Sequence, residues 1–255
     1  MRVLWVNPVG TPRDDEMMAE TLAAAARPGT RGTVVSYAPG TVPEHLEFDA
    51  FEAMAVPQLV RTACHERENF DVMVIGCFYD TALEAAREVS GEMIVTGPCT
   101  AALSFAGALA GRFSVLAGTS KSAAHIRPRI TGYGAAGQLA SIRTLGQLPP
   151  EMRADPALTE GRIRTEARAA VEEDGAEAIA LGCTLEIEAA LRLGDTLGVP
   201  VIDAVRAPLG HAEMLAHGKA SFGWLPGRAG AAAAPPAAEI AGALAPPDIA
   251  NRVDF

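Results

Sequence analysis

Cys183 follows Cys77 by 106 residues, and at that spacing the two halves of the chain can be laid over each other without a gap. Val74-Ile75-Gly76-Cys77-Phe78 meets Ala180-Leu181-Gly182-Cys183-Thr184, Gly76 falls on Gly182, Val95 on Val201, and the helical stretch 81–89 on 187–195. The beginnings of the halves agree as well, Arg2-Val3-Leu4-Trp5-Val6 resembling Arg112-Phe113-Ser114-Val115-Leu116. Whatever one half forms, the other half must form too. The expected architecture is two pseudo-symmetric α/β lobes of roughly a hundred residues each, related by a twofold axis, with a ligand site in the cleft between them.

Apolar runs of strand length alternate with segments of helical period, the pattern of mainly parallel sheets covered by helices. Strands are expected near 2–6, 32–37, 71–76, 92–96, 112–117, 139–145, 177–181 and 200–203. Helices are expected over 14–26, 50–68, 80–89, 99–110, 121–131, 160–174, 186–197 and 206–217, the second capped by Asp49. The lobes divide as 1–110 and 111–225, with exchange of a segment near 204–225. Residues 226–255 are rich in Ala and Pro and show little periodicity, so they read as a flexible tail, or else as an arm docked on a neighbouring subunit.

Hydrophobic residues make up 49% of the chain, enough for a sizeable core. A formal charge of −10 without any run of Lys or Arg argues against nucleic acid and anionic membrane as partners. No stretch approaches the roughly 20 apolar residues of a membrane span, and the chain enters a strand too soon for a signal peptide, so a cytoplasmic location is expected. The cysteines at 64, 77, 99 and 183 form no Cys-x-x-Cys pair and no dense framework, which points to reduced thiols.

Ligands of parallel α/β sheets bind at the carboxyl ends of strands. Four such ends carry short polar or thiol groups: Asn7-Pro8, Cys77-Phe78-Tyr79-Asp80, Gly118-Thr119-Ser120 and Cys183-Thr184. A helix N-terminus after each would lower a thiol pKa and hold a carboxylate or enolate oxygen. Two thiols facing a carbon beside a carbonyl suit inversion of that centre, one as thiolate base and the other as acid, with roles exchanged for the mirror-image substrate. Such chemistry requires no metal and no organic cofactor. The histidines at 45, 65, 125, 211 and 217 form no metal-ligand cluster, and the glycines no nucleotide-binding fingerprint.

The plainer roles are weighed alongside. Phe78 and Tyr79 suit either an apolar wall for a substrate or the core. Asp80 and Asp203 read as helix caps, and Thr119 and Ser120 are good capping types whose structural and binding roles coincide. His125 reads first as a surface or core histidine, and Cys99 as packing rather than as a pocket residue.

Asn7-Pro8, Ile75-Gly76-Cys77-Phe78-Tyr79-Asp80, Gly111-Arg112-Phe113-Ser114-Val115, the segment from Glu172 to Ile179, Leu181-Gly182-Cys183 and Gly198-Val199-Pro200-Val201-Ile202-Asp203 together resemble the aspartate/glutamate/hydantoin racemase superfamily, its hydantoin racemase branch above all. The resemblance runs from residue 1 to about residue 218. It implies a cofactor-independent racemase with Cys77 and Cys183 as the acid/base pair. Asn7, Thr119 and the backbone at Phe78 and Thr184 would surround a small-molecule substrate, with Pro8, Tyr79, Cys99 and Ser120 as further candidates. It also implies a homo-oligomer. The chain departs from that branch at Val9-Gly10, where Asn commonly follows Pro, at Ala117-Gly118, where two threonines are common, and at Gly97-Pro98-Cys99-Thr100-Ala101, where Gly-x-x-Glu-Ala is common. These departures bear on the substrate more than on the reaction. A decarboxylase of substituted malonates, a maleate-type cis–trans isomerase and a non-catalytic binding protein are the alternatives.

Overall fold

The computed structural model describes residues 1–187, 193, 194 and 196–255. Strands β1 (Arg2–Asn7), β2 (Arg31–Tyr37), β3 (Val72–Ile75) and β4 (Ile94–Thr96) alternate with helices α1 (Asp15–Ala25), α2 (Asp49–Glu66) and α3 (Leu83–Val89). Helix α4 (Pro98–Leu109) leads into β5 (Phe113–Ala117), α5 (Ser120–Gly132), β6 (Leu139–Thr144), α6 (Pro149–Ala154), α7 (Pro156–Glu172) and β7 (Ala178–Leu181). The chain then runs through β8 (Val201–Ile202), α8 (Arg206–Phe222), α9 (Ala237–Ala243) and β9 (Ile249–Asp254).

The duplication seen in the sequence is a duplication of topology. One sheet has the order β4-β3-β1-β2-β9 and the other β8-β7-β5-β6, so the four strands of each half are wound identically. All pairs are parallel except β2 with β9. The inner strands β1, β3, β5 and β7 are buried along nearly their whole length, covered on both faces by helices. That explains why they read as unbroken apolar runs rather than as alternating ones. The outer strand β6 is only half-buried throughout.

The chain divides into two compact units. The first comprises Met1–Gly76, Asp80–Gly97 and Leu209–Phe255, and the second Cys77–Tyr79 and Pro98–Pro208. The main divisions therefore fall after Gly97 and after Pro208 instead of after residues 110 and 225. The reason is a reciprocal exchange of helices. α4, whose small apolar residues Ala101, Ala102 and Ala106 are buried, packs on β7 and β8 and so belongs with the second sheet. α8 belongs from Leu209 onward with the first unit, where His211 Nδ1 meets Thr96 Oγ1 at 2.9 Å and Glu213 accepts from the Arg27 N–H and the Thr30 hydroxyl.

The tail is neither a loose extension nor an arm reaching for another subunit. β9 adds antiparallel to β2 of its own chain. Asp248 exchanges two hydrogen bonds with the Gln58 side chain, Arg252 pairs with Glu66, and Arg228 donates to the Gly91 carbonyl. The Phe255 ring fills the space above Gly32, where a Cβ would lie 2.2 Å from the ring. Two further expectations fail locally. Asp49 is the first residue of α2 and not its cap, the preceding position being Phe48 with no capping side chain. Asp80 does not cap α3, which begins only at Leu83 because Asp80 and Ala82 take left-handed φ values of 48° and 59° and hold the chain out of the helix. Asp203 does cap α8, its Oδ1 accepting from the N–H groups of Val205 and Arg206. The helix expected over 186–197 lies in part outside the described residues.

Candidate active site

Each cysteine is placed by the glycine before it. At the exit of β3 the Gly76 N–H donates to the Val6 carbonyl of β1 at 2.7 Å, and at the exit of β7 the Gly182 N–H donates to the Leu116 carbonyl of β5 at 2.8 Å. No side chain fits at either contact. A Cβ on Gly76 would stand 2.7 Å from Trp5 Nε1 and 2.9 Å from the Val6 oxygen, and one on Gly182 would stand 2.3 Å from the Leu116 oxygen. The Gly-Cys dipeptide is thus a device that seals a strand end against its neighbour and turns the next residue out of the sheet. Cys77 and Cys183 are accordingly half-buried, whereas Cys99 is fully buried.

The second unit contains Cys77, Phe78, Tyr79, Cys99, Thr119, Ser120, Cys183 and Thr184. Cys77 and Cys183 lie within each other's electrostatic reach, since negative charge at Cys77 opposes ionisation of Cys183. Cys183 packs at the edge of the core formed by Leu116, Ile179 and Leu181, and this burial pushes its thiol pKa well up. Nearby Glu186 raises it further, while a hydrogen bond from the Leu185 backbone and the charge of Arg153 act weakly the other way. The expected lowering by a helix N-terminus is therefore reversed at Cys183. The thiol stands before the 3-10 turn Thr184–Glu186, and desolvation by burial is the largest influence on it. Nor does an α-helix start directly after Cys77, given the left-handed residues before α3.

Thr119 takes the capping role foreseen for it. Half-exposed at the end of β5, it caps α5 by accepting from the N–H groups of Lys121 and Ser122, and Ser122 Oγ accepts from the Thr119 N–H in return. Ser120 is exposed as the first residue of α5, and Thr184 is half-buried in the turn after Cys183. Phe78 and Tyr79 are largely enclosed, at 2% and 6% exposure, and the Tyr79 ring rests on His125 with centroids 4.9 Å apart. Cys99, in the first turn of α4, shows no surface at all, which agrees with its reading as a packing residue.

Asn7 and Pro8 belong to the first unit. Asn7 is buried in a polar chain: Trp5 Nε1 donates to its oxygen at 2.8 Å, its Nδ2 donates to Asp15 Oδ1 at 2.6 Å, and Ser36 donates to Asp15 Oδ2 at 2.8 Å. Burial raises the Asp15 pKa, and the bonds from Asn7 and Ser36 pull it back. Sequence reasoning named Asn7 but missed Asp15, which reads there as an ordinary first-turn acid. It missed Glu186 for the same reason. Glu186 is 1% exposed, and burial pushes its pKa up to about 8. Neither carboxylate oxygen makes a hydrogen bond of good geometry among the described residues, although the N–H groups of Gly182 and Cys183 lie near enough to favour the ionised form somewhat.

Among the described residues no group of three or more His, Cys, Asp or Glu could hold a metal ion, and no helix is long and apolar enough to cross a membrane. The sequence pattern of the Asp/Glu/Hydantoin racemase family matches residues 3–212 of the chain. The chain belongs to that family. Its members are isomerases, and the match takes in both Gly-Cys strand ends. A hydantoin racemase of Rhizobium meliloti is 36% identical over 217 residues, which cover 84% of this chain and 88% of that protein. One from Paenarthrobacter aurescens is 34% identical over 218 residues, covering 84% and 91%. Among solved structures, an allantoin racemase from Klebsiella pneumoniae superposes with a TM-score of 0.84 at 28% identity, covering 92% of this chain and 94% of its own.

Proposed function

We propose that the protein racemises a 5-substituted hydantoin or a close amino-acid derivative without a cofactor, using Cys77 and Cys183 as acid and base. The observation that carries this reading is that Cys77 and Cys183, which follow the equivalent strands β3 and β7, fall in one compact unit, where negative charge at Cys77 opposes ionisation of Cys183. A carbon acid beside a carbonyl needs a base close by and stabilisation of the enolate oxygen. A thiolate removes the C5 proton from one face, and the electron pair moves into the adjacent carbonyl. The other thiol then delivers a proton to the opposite face, leaving the pair with its charge exchanged. Burial opposes ionisation of the Cys183 thiol, and in this proposal Cys183 rests protonated while Cys77 serves as the resting base. Thr119, Ser120 and the backbone at Phe78 and Thr184 supply donors to the ring carbonyls, and Tyr79 borders the substituent. Allantoin is itself a hydantoin bearing a ureido group at C5, so both kinds of named relative point to one ring with different substituents. We further propose that the protein works as a homo-oligomer.

The test is deuterium incorporation at C5, followed by NMR together with optical rotation, over hydantoins with apolar and polar substituents, free amino acids and substituted malonates. Exchange with racemisation of a hydantoin, lost in Cys77→Ser and in Cys183→Ser, is the expected result. Release of carbon dioxide from a malonate, or turnover surviving both substitutions, would overturn it.

A further inference from the structure

Glu186 is an acidic side chain of the second unit that stands at the reacting thiol and that the proposed reaction leaves unused. It closes the 3-10 turn that Cys183 opens, its own N–H bonded to the Cys183 carbonyl at 3.2 Å. The side chain is enclosed, and its two oxygens are the only carboxylate oxygens among the described residues that are both shielded from solvent and without a well-formed hydrogen bond. A buried carboxylate left like this is normally destabilising, and the usual remedies are an arginine partner or replacement by an amide. The elements packed against the turn offer neither remedy. α6 carries Arg153, whose charge favours the Cys183 thiolate weakly, and Glu151, whose carboxylate is turned away to accept from the Leu148 N–H at 2.7 Å. Among the described residues, the other titratable groups acting on this thiol besides Glu186 and Arg153 come down to Cys77.

We infer that Glu186 is a positioning residue for Cys183: a buried carboxyl group whose proton keeps the neighbouring thiol usable, and whose ionisation locks that thiol in its protonated form. The inference rests on the reading of Cys183 as half of the acid/base pair, but its consequence for the thiol does not depend on any substrate. With Glu186 neutral, burial remains the main obstacle to ionisation of Cys183. Once Glu186 is charged, a second negative charge must share the same enclosed turn, and the thiol's acidity falls again. The burial-raised value of about 8 puts that change within the range where such enzymes are assayed. For a racemase the equilibrium constant between enantiomers is unity, so the loss falls equally on kcat/KM for both of them. It is partitioned unequally between kcat and KM, because only one direction starts with Cys183 as base.

The experiment is the initial rate of iodoacetamide alkylation at Cys183, resolved by peptide mass spectrometry, from about pH 6 to about pH 10. Wild type and Glu186→Gln should react alike at the acid end. At the alkaline end Glu186→Gln should react on the order of tenfold faster, the effect of one unit of thiol pKa. Cys77 could produce a similar break by its own ionisation, so the profile is repeated in Cys77→Ser with Glu186 intact. Persistence of the break near pH 8 assigns it to Glu186, and this arm holds even if Glu186→Gln fails to fold. A straight profile in Cys77→Ser, or equal rates for wild type and Glu186→Gln throughout, would overturn the inference. Failure of the racemase reading would show instead as absent turnover with the break still present.

Discussion

At the exit of β3 a glycine presses on the carbonyl of the neighbouring strand, and a cysteine follows; at the exit of β7 the same two residues do the same thing. Beyond the cysteine the two exits part. After Cys77 the chain passes through left-handed residues at Asp80 and Ala82, with Asp80 pressed against Gly97 so closely that a Cβ there would stand 2.2 Å from its carboxylate oxygen. After Cys183 it closes at once into a 3-10 turn that buries Glu186. The duplicated strands thus set where the thiols stand, whereas the loops beyond them are not duplicated. In the proposed mechanism the resting proton is on Cys183, whose burial opposes its ionisation.

The hardest test of that comparison is to remove one thiol at a time. Cys77→Ser and Cys183→Ser should each lower kcat for racemisation by about 10² to 10⁴-fold, the usual worth of a positioned acid or base. Wash-out of the C5 deuteron without inversion should survive better in Cys183→Ser, which keeps the resting base, and equal residual exchange in the two variants would break the proposed asymmetry.

The glycines probe the shared part. Gly182→Ala drives a Cβ onto a backbone oxygen at 2.3 Å, whereas Gly76→Ala first meets the Trp5 ring at 2.7 Å. The closer clash at Gly182 should destabilise by about 3 kcal/mol, and the looser one at Gly76, against the buried Trp5 ring and the Val6 oxygen at 2.9 Å, by about 2 kcal/mol. Urea unfolding with unchanged m-values checks the order, and the reverse order would mean that β5 yields more readily than Trp5.

The sheets themselves differ at one edge, because only the first carries a ninth strand. Deleting residues 248–255 removes β9, the two Gln58 bonds and the Phe255 ring over Gly32. We expect a loss of about 2 kcal/mol, a thermal midpoint lower by several degrees, and greater association through the bared edge of β2. Calorimetry and light scattering would show it, and an unchanged midpoint would make the tail an ornament. The smallest effect belongs to the second unit's surface, where Arg143 meets Asp174 at 2.6 Å, Glu173 at 2.7 Å and Glu166 at 3.4 Å. Arg143 hydrogen bonds hold the Asp174 carboxyl below its ordinary pKa, so its contribution is present above the ordinary aspartate value and is lost as the pH falls through the lowered one. Arg143→Ala should cost about 1 kcal/mol or less near neutral pH and nothing in strong acid, with the gap shrinking in high salt.

How much of this was legible beforehand varies with the range of the interaction. Eight strands were placed within a residue or two, the inner ones because burial on both faces writes a continuous apolar run that no side-chain detail disguises. β9 was missed since an edge strand is polar on alternate positions, and this one follows an Ala/Pro-rich stretch. The start of α3 was set too early because nothing local marks Asp80 and Ala82 as left-handed. Asn7, Thr119 and the two cysteines were picked out by their positions at strand ends. Asp15 and Glu186 were not, since an acid destined for burial has the same neighbours in the chain as one destined for water.

The sequence by itself determined the repeat, the alternation of strands and helices and the two Gly-Cys strand ends, and with them membership of the Asp/Glu/hydantoin racemase family. These follow from apolar periodicity and from a glycine's missing side chain, properties carried by neighbouring residues. Only the tertiary structure decided which helices each sheet keeps, where the tail lies, and that the Cys183 thiol is harder to ionise instead of easier. Those outcomes depend on desolvation and on charges brought together from distant parts of the chain, which exist only once it has folded.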